Sequence, residues 1–95
     1  MLLRNGDVVW CTVVQRHPWG VIVSIDGEEE VGASVDLFQI GLPPRSMADV
    51  PEMGTRLRAV IAEDRYGWLR LSHRPDHVAH AERTGEPPWP GTGTH

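Results

Sequence analysis

Residues 17–27 constrain the fold of this chain more than any other stretch, because a β-rich run lies there between two turn signals. The run from Val21 to Ile25 favours a pleated, buried surface. Pro18 has no N–H to give to a sheet ladder, so a strand is expected to begin after it. Asp26-Gly27 predicts a type I′ turn, in which both central residues need positive φ. The stretch therefore predicts a β-hairpin on which the other strands close.

The composition is that of one soluble globular domain. The chain has 95 residues, of which 40% are hydrophobic and 23% charged, enough for a modest single core. No apolar run approaches the roughly 20 residues that span a bilayer, and the start of the chain is too short to hold the core of a signal peptide. Cys11 is the single cysteine, which excludes an intrachain disulfide. We expect a monomeric cytoplasmic protein that holds no cofactor.

The rest of the chain predicts four further strands. Runs of β-branched, aromatic and alternating apolar residues place the five strands at residues 6–15, 21–25, 28–33, 55–62 and 68–72. Residues 34–53 form a long connection, with one helical turn at Ser46–Asp49 and with Phe38, Ile40 and Leu42 expected to plug the barrel end. Five short strands with a long third connection predict an all-β, five-stranded Greek-key barrel.

The end of the chain predicts a short helix followed by a tail. Pro75 suits a first helical position and Gly85 a position past the helix end, so a helix is expected from Pro75 to Arg83. The proline- and glycine-rich tail is expected to be disordered. The domain boundaries that follow are a stub at residues 1–5, the barrel at 6–74, the helical segment at 75–85 and the tail at 86–95.

Charge is distributed unevenly, although the net charge is only −4. Residues 26–52 carry seven acids and one arginine, net −6, whereas residues 53–75 carry five arginines and two acids, net +3. An acidic chain is unfavourable for binding nucleic acid through its phosphates. The basic segment nevertheless allows a local basic face.

A set of residues in the barrel region resembles a known family. In order along the chain they are Gly6-x-Val8, Val13, Pro18-Trp19-Gly20-Val21-x-Val23, Gly54, Ile61, Asp64 and Leu69-Arg70-Leu71-Ser72. They resemble the S-one domain, the RNA-binding repeat of ribosomal small-subunit protein one, which is also found in exoribonucleases and polynucleotide phosphorylase. The resemblance covers about residues 6–74 and implies an OB-fold that binds single-stranded RNA on one barrel face.

The contact residues of that family carry over only in part. The face usually presents two aromatic residues on the second strand, a histidine on the third, and an acid and an arginine near the fifth. The resemblance places the first aromatic on Trp19 and the acid on Asp64. The departures are Ile22 at the second aromatic, Ala33 at the histidine, Trp68 at the arginine, Glu30 at a glycine and Arg16 at an aliphatic position. The resemblance therefore supports the fold more firmly than the contacts.

Two tryptophans and four arginines complete the candidate RNA-binding set. Trp19 and Trp68 would stack bases, each stacked base contributing roughly 1–3 kcal/mol. The phosphate contacts would come from Arg56, Arg58, Arg65 and Arg70, because guanidinium groups suit phosphate geometry. The alternative is that one tryptophan packs under a loop and the arginines only face solvent.

The other chemically suggestive residues favour structural roles. Trp10 lies in the most apolar strand and is expected in the core, and Cys11 is expected to be a small buried thiol. The acidic run Glu28–Glu30 predicts a solvated strand edge. Metal-like spacing occurs at His73, Asp76, His77 and His80. A terminal helix gives such ligands little rigidity, so no metal is expected.

Two functions from different classes follow from these observations. The serines lack a nucleophile-elbow context, so we expect a binding protein and not an enzyme. The first function is weak binding of single-stranded RNA with little sequence preference. The alternative is a degenerate barrel that serves as a protein-interaction module, with residues 26–52 facing a basic partner such as a ribosomal protein. Ribosome association through both surfaces is a third interpretation.

Overall fold

The structure, a computed structural model, describes residues 3–41 and 46–88 and contains a closed five-stranded barrel. In this part of the chain the elements are β1 (Val8–His17), β2 (Gly20–Ile25), β3 (Glu28–Asp36), β4 (Arg56–Arg65), β5 (Trp68–Ser72) and α1 (Pro75–Thr84). The strands follow one another around the barrel in the order β1-β2-β3-β5-β4. Every pair is antiparallel except β3 with β5, which is parallel. The predicted all-β OB-fold barrel with a short C-terminal helix is confirmed.

The strands differ from the predicted ones mainly at their ends, where pairing decides the boundary. β3 continues three residues beyond Ala33 because Asp36 pairs with Gly20 at the start of β2. β4 continues to Arg65 because that residue pairs with Trp68. The connection between β4 and β5 is therefore a two-residue turn, shorter than the predicted strand bounds imply. β5 has the predicted bounds.

The two hairpin turns also differ from the prediction. At Asp26-Gly27 only the glycine has positive φ, of 82°, so the predicted type I′ turn is wrong there. The backbone N–H of Asp26 donates to the carbonyl of Trp10, which holds it in another conformation. Both central residues have positive φ instead at Tyr66-Gly67, with values of 54° and 87°. That pair forms the tight β4–β5 hairpin.

The core is the barrel interior, filled by alternate residues of each strand. The inward side chains are Cys11, Val13, Val21, Val23, Ile25, Ala33, Val35, Leu57, Ala59, Ile61, Leu69 and Leu71. Leu37 and Val50, from the long connection, join them. Phe38 was expected to plug the barrel end but is 73% exposed, because Leu37 takes the inward position of the short 3₁₀ turn Leu37–Gln39.

Other expectations for the long connection have mixed outcomes. Ile40 packs partly against the core, as expected, and Leu42 lies outside the described residues. The expected helical turn is confirmed as a 3₁₀ turn at Met47–Asp49. Ser46 and Asp49 cap it reciprocally, the serine hydroxyl accepting from Ala48 and the aspartate from the N–H of Ser46.

Helix α1 packs on the outside of the barrel, against β4. Pro75 occupies its first turn and Gly85 ends it in the left-handed conformation, as predicted. Val78 and Ala81 pack on Val60 of β4. No helix in residues 3–41 and 46–88 is long and apolar enough to cross a membrane. The predicted disordered tail lies outside the described residues from position 89 onward.

Candidate nucleic-acid interface

Trp68 lies on the outer surface formed by β2, β3 and β5, and the residue is 40% exposed. It pairs with Gly32 of β3. A β-carbon on that glycine would lie only 2.4 Å from Cε3 of the indole, so the absence of a side chain makes room for the ring. The indole Nε1 donates to the hydroxyl of Ser34 at 2.9 Å. The ring is therefore held in a fixed position while part of it faces solvent.

Trp19 directly precedes Gly20, which pairs with Asp36 at the other end of β3, and Trp19 is 47% exposed. Its ring stacks on the imidazole of His17, with centroids 4.9 Å apart and planes at 8°. Its carbonyl accepts the N–H of Leu37, which fixes the β1–β2 connection against the end of β3. Gly20 allows this approach, because a β-carbon there would lie 2.2 Å from the carbonyl oxygen of Val35. His17 was not singled out from the sequence, since its role depends on this stacking.

Strand pairing places a continuous strip of side chains between the two tryptophans. Ile22 pairs with Ser34, and Ser34 pairs with Arg70, so these three residues lie side by side across β2, β3 and β5. On β3, the partner of Trp68 is Gly32 and the partner of Gly20, the residue after Trp19, is Asp36. These two positions are four residues apart, or about 13 Å along the strand. We call this surface, which carries His17, Trp19, Ile22, Ser34, Trp68 and Arg70, the tryptophan face.

Two further predictions for this face concern Ile22 and Ala33. Ile22 does project on the tryptophan face, at the position that the family resemblance gives to a second aromatic residue. Ala33 is fully buried in the core, so no side chain there reaches the surface. The outward residue of β3 is its neighbour Ser34, which contacts Trp68. Successive side chains of a strand point to opposite faces, and the register of β3 against β2 fixes which of them point outward.

The charged groups on the tryptophan face neutralise one another. Arg70 forms ion pairs with Asp36 and with Glu63, the latter at 3.4 Å. Arg65 forms a second ion pair with Glu63, at 2.8 Å between Nε and Oε2. The side chain of Glu63 is only 7% exposed, and each of its oxygens contacts one of the two arginines. Glu63 was not singled out from the sequence as part of the site.

Arg56 and Arg58 lie on a different surface. β4 pairs with β1 through residues 56–60 and with β5 through residues 60–65, so its two halves face different sides of the barrel. Arg56 forms an ion pair with Asp26 at 2.6 Å, and this hydrogen-bonded pair lowers the pKa of Asp26. Arg58 pairs with Glu82 of α1 at 2.5 Å. The structure therefore does not bring these two arginines to the tryptophan face.

Trp10 accompanies Arg56 and Arg58 on that second surface. It was expected in the core but is 45% exposed. The guanidinium carbons of Arg56 and Arg58 lie 5.5 and 5.7 Å from its ring centroid, within cation–π range. The reason is the alternation of β1, in which Cys11 and Val13 face inward. An unbroken apolar run concealed that period.

Asp64 has a local role at the β4–β5 turn. Its Oδ1 accepts the backbone N–H of Gly67 at 2.9 Å. It pairs with the inward-facing Leu69, so it lies on the side of β4 opposite to Arg65 and Glu63. Of the seven residues predicted as contacts, the tryptophan face thus includes Trp19, Trp68 and Arg70, with Arg65 at its margin.

The remaining candidates have structural surroundings. Cys11 is fully buried, as expected, and burial together with nearby Asp26 raises the pKa of its thiol to about 12. Glu28 is buried, so the prediction of a wholly solvated acidic run is wrong at that position, where Glu28 pairs with Ile25. His77 contacts the Ser72 hydroxyl at 2.7 Å. Within the described ranges no group of three metal-ligating side chains gathers.

Comparison with solved structures identifies the fold. The chain is similar over 90% of its length to a chain of the a/eIF2alpha–aDim2p–rRNA complex from Pyrococcus horikoshii OT3, with a TM-score of 0.71 and 18% identity. It is similar over 78% of its length to the alpha subunit of aIF2 from Pyrococcus abyssi, with a TM-score of 0.66 and 22% identity. It is similar over 79% of its length to GSP13 from Bacillus subtilis, with a TM-score of 0.64 and 20% identity. The chain has an OB-fold. This agrees with the fold implied by the S-one resemblance.

The structural similarity covers only part of each related chain, and comparisons of the sequence alone find no match. The matched regions are 52%, 30% and 58% of those three chains, so this chain spans less than two thirds of the length of each. No family model matches the sequence. No curated protein matches it either.

Proposed function

We propose that this protein binds single-stranded RNA weakly and with little sequence preference, through the tryptophan face. The observation that carries the proposal is the presence of two partly exposed indoles, Trp19 and Trp68, at the two ends of one strip. Both rings have partners that fix their position, His17 in one case and Ser34 in the other. A held aromatic ring is a surface on which a base can stack, whatever its identity.

The fold neighbours support a nucleic-acid ligand. The P. horikoshii structure is a complex that contains rRNA. A further neighbour, from Streptococcus pneumoniae, is described as a multidomain protein with nucleic acid binding domains, and matches with a TM-score of 0.59 at 18% identity. The unpaired bases of a single strand can reach two separated rings, whereas stacked duplex bases cannot. A single strand is therefore the proposed ligand.

Weak binding is proposed because the face holds few partners for a ligand. Ile22 stands where the S-one resemblance places a second aromatic residue on β2, and the arginines of the face are paired with carboxylates. We further propose a monomeric cytoplasmic binding protein without enzymatic activity, with residues 6–74 as the binding unit.

Tryptophan fluorescence during titration with a single-stranded oligoribonucleotide tests the proposal. The parent is expected to show saturable quenching, and Trp19→Ala and Trp68→Ala should each weaken binding about 5- to 150-fold, as loss of one stacked base implies. Trp10→Phe is the matched control, since Trp10 lies on the other surface, and it should bind like the parent. Circular dichroism confirms that each variant is folded.

No quenching of the folded parent at the lowest salt would reject RNA binding and favour the protein-interaction alternative. At present the acidic stretch gives that alternative little support. Asp26 and Asp36, two of its seven acids, are committed to ion pairs with Arg56 and Arg70 on different surfaces. These two carboxylates therefore do not contribute to a single acidic surface.

A further inference from the structure

We infer that the tryptophan face holds a nucleic-acid strand through its bases and scarcely through its phosphates, so that binding depends little on salt. This inference rests on the proposed function and specifies which part of the ligand is recognised. It departs from the sequence-based expectation that Arg56, Arg58, Arg65 and Arg70 serve as phosphate contacts. The structure gives each of those arginines an acidic partner.

Glu63 holds Arg65 and, together with Asp36, Arg70. Its side chain is 7% exposed, and its two oxygens take separate partners, Oε2 from Arg65 at 2.8 Å and Oε1 from Arg70 at 3.4 Å. If the arginines turned to a phosphate, they would leave a buried carboxylate without compensation, which is strongly unfavourable. The pairing is therefore not the weak, exchangeable kind that is usual between fully exposed side chains.

The formal charges of the face cancel. Arg65 and Arg70 contribute two positive charges, and Asp36 and Glu63 contribute two negative ones. A phosphate approaching Arg70 also approaches the carboxylates that hold it, and the whole chain has a net charge of −4. Without a net positive potential, few counterions are released from the nucleic acid on binding.

The apolar groups of the face remain available to bases. Trp19, Ile22 and Trp68 are partly exposed along the strip. Trp68 has its only side-chain N–H donor engaged with Ser34, so the ring offers its π surface and not a hydrogen bond to phosphate. The guanidinium plane of Arg70, held between two carboxylates, provides a further flat surface for a base. Stacking is therefore the principal interaction that the face supplies.

The salt dependence of binding measures the number of phosphate contacts. For single strands, the slope of log K against log salt is about −0.7 for each phosphate neutralised. Four free arginines would give a slope of about −2.8 by this relation. Base-mediated binding predicts a slope shallower than about −1.

The experiment titrates the parent with an oligouridylate and with an oligomer of the same length and backbone that carries no bases, each at several salt concentrations. We expect the oligouridylate to bind with a shallow slope and the base-free oligomer not to bind. A slope steeper than about −1, or equal binding of the base-free oligomer, would overturn the inference while leaving nucleic-acid binding intact. Absence of binding to both would reject the proposed function and the inference with it.

Glu63→Gln tests the source of the effect. The amide removes the buried charge and releases Arg65, whereas Arg70 keeps its ion pair with Asp36, so the slope should become steeper by about −0.7, or one phosphate contact. Asp64→Asn is the matched control, because it removes one negative charge from the neighbouring position. The Asp64 carboxylate accepts the N–H of Gly67 in the turn and forms no ion pair with Arg65 or Arg70. An unchanged slope in folded Glu63→Gln would overturn the role given to Glu63. If that variant does not fold, the parent slope alone decides the inference.

Discussion

The indole of Trp68 occupies the space that a side chain on Gly32 would fill, with Cε3 and Cζ3 only 2.4 and 2.5 Å from the β-carbon position. The two residues face each other across the parallel pair β3–β5. A hydrogen bond from Nε1 to Ser34 fixes the far side of the ring. The orientation of a proposed stacking surface thus depends on a residue without a side chain.

Gly32→Ala is expected to displace the Trp68 ring. Gly32 is not among the glycines with positive φ, so the backbone accepts alanine and the effect comes from the clash alone. Overpacking of this kind costs about 1–3 kcal/mol of unfolding free energy, measurable by urea denaturation, and should shift the Trp68 fluorescence. In a Trp68→Ala background the same substitution should cost much less. Equal costs in the two backgrounds would show that the contact does not matter.

Arg16 is expected to stabilise the connection that precedes β4. Its Nε donates to the carbonyl of Pro51 at 3.1 Å, and its Nη2 donates to those of Val50, at 2.8 Å, and Met47. Arg16→Met should reduce the free energy of unfolding by about 2–3 kcal/mol, because hydrogen bonds from a charged donor contribute about 1.5–3 kcal/mol. Urea denaturation measures the loss, and limited proteolysis should detect a loosened connection.

Arg74→Lys serves as the control for Arg16. The Arg74 guanidinium contacts the exposed carboxylate of Asp76, and such surface pairs add little to stability. If the Arg16 and Arg74 variants had the same stability, the carbonyl contacts of Arg16 would not be stabilising.

Tyr66→Asn is expected to stabilise the protein. Tyr66 is fully exposed and has a φ of 54°, the one positive value at a non-glycine position in the described ranges. Asparagine tolerates this conformation better than tyrosine and is favoured before glycine in type I′ turns. The gain should reach about 1 kcal/mol, seen as a higher Tm. A lower Tm would show that the exposed ring makes a contribution that outweighs the backbone preference.

Stability is expected to fall below neutral pH through His77. Burial lowers the pKa of His77 from 6.5, and the neighbouring carboxylate of Asp76 opposes this shift only in part. The unfolded chain therefore binds the proton more tightly, so the free energy of unfolding decreases as pH falls through 6.5 towards the lower folded pKa. The parent should lose more stability than His77→Gln between pH 7.5 and 5.5 in urea denaturation. Equal losses would contradict the assignment.

The barrel could be predicted from the sequence because each strand is marked locally. β5 has the predicted bounds, and β2 differs by a single residue at its start. Trp10 was misplaced because the apolar run of β1 continues on both faces, so no alternation is visible there. A shift of one residue in the assumed alternation moves a side chain from the core to the surface. On β3 the family resemblance placed the histidine position at Ala33, whereas the structure has Ala33 in the core and Ser34 on the outward side.

The sequence by itself determined a barrel of five strands followed by a helix, since β-branched runs, turn glycines and Pro75 are local signals, and the family resemblance implied that the barrel is an OB-fold. Only the tertiary structure decided which charged and aromatic groups share a surface. Arg58 and Arg65 lie on one strand, yet the first lies where β4 pairs with β1 and the second where it pairs with β5. Glu63 joins Arg65 to Arg70 only because β4 and β5 pair. Barrel closure, which depends on non-local pairing, separates near neighbours in sequence and joins distant ones.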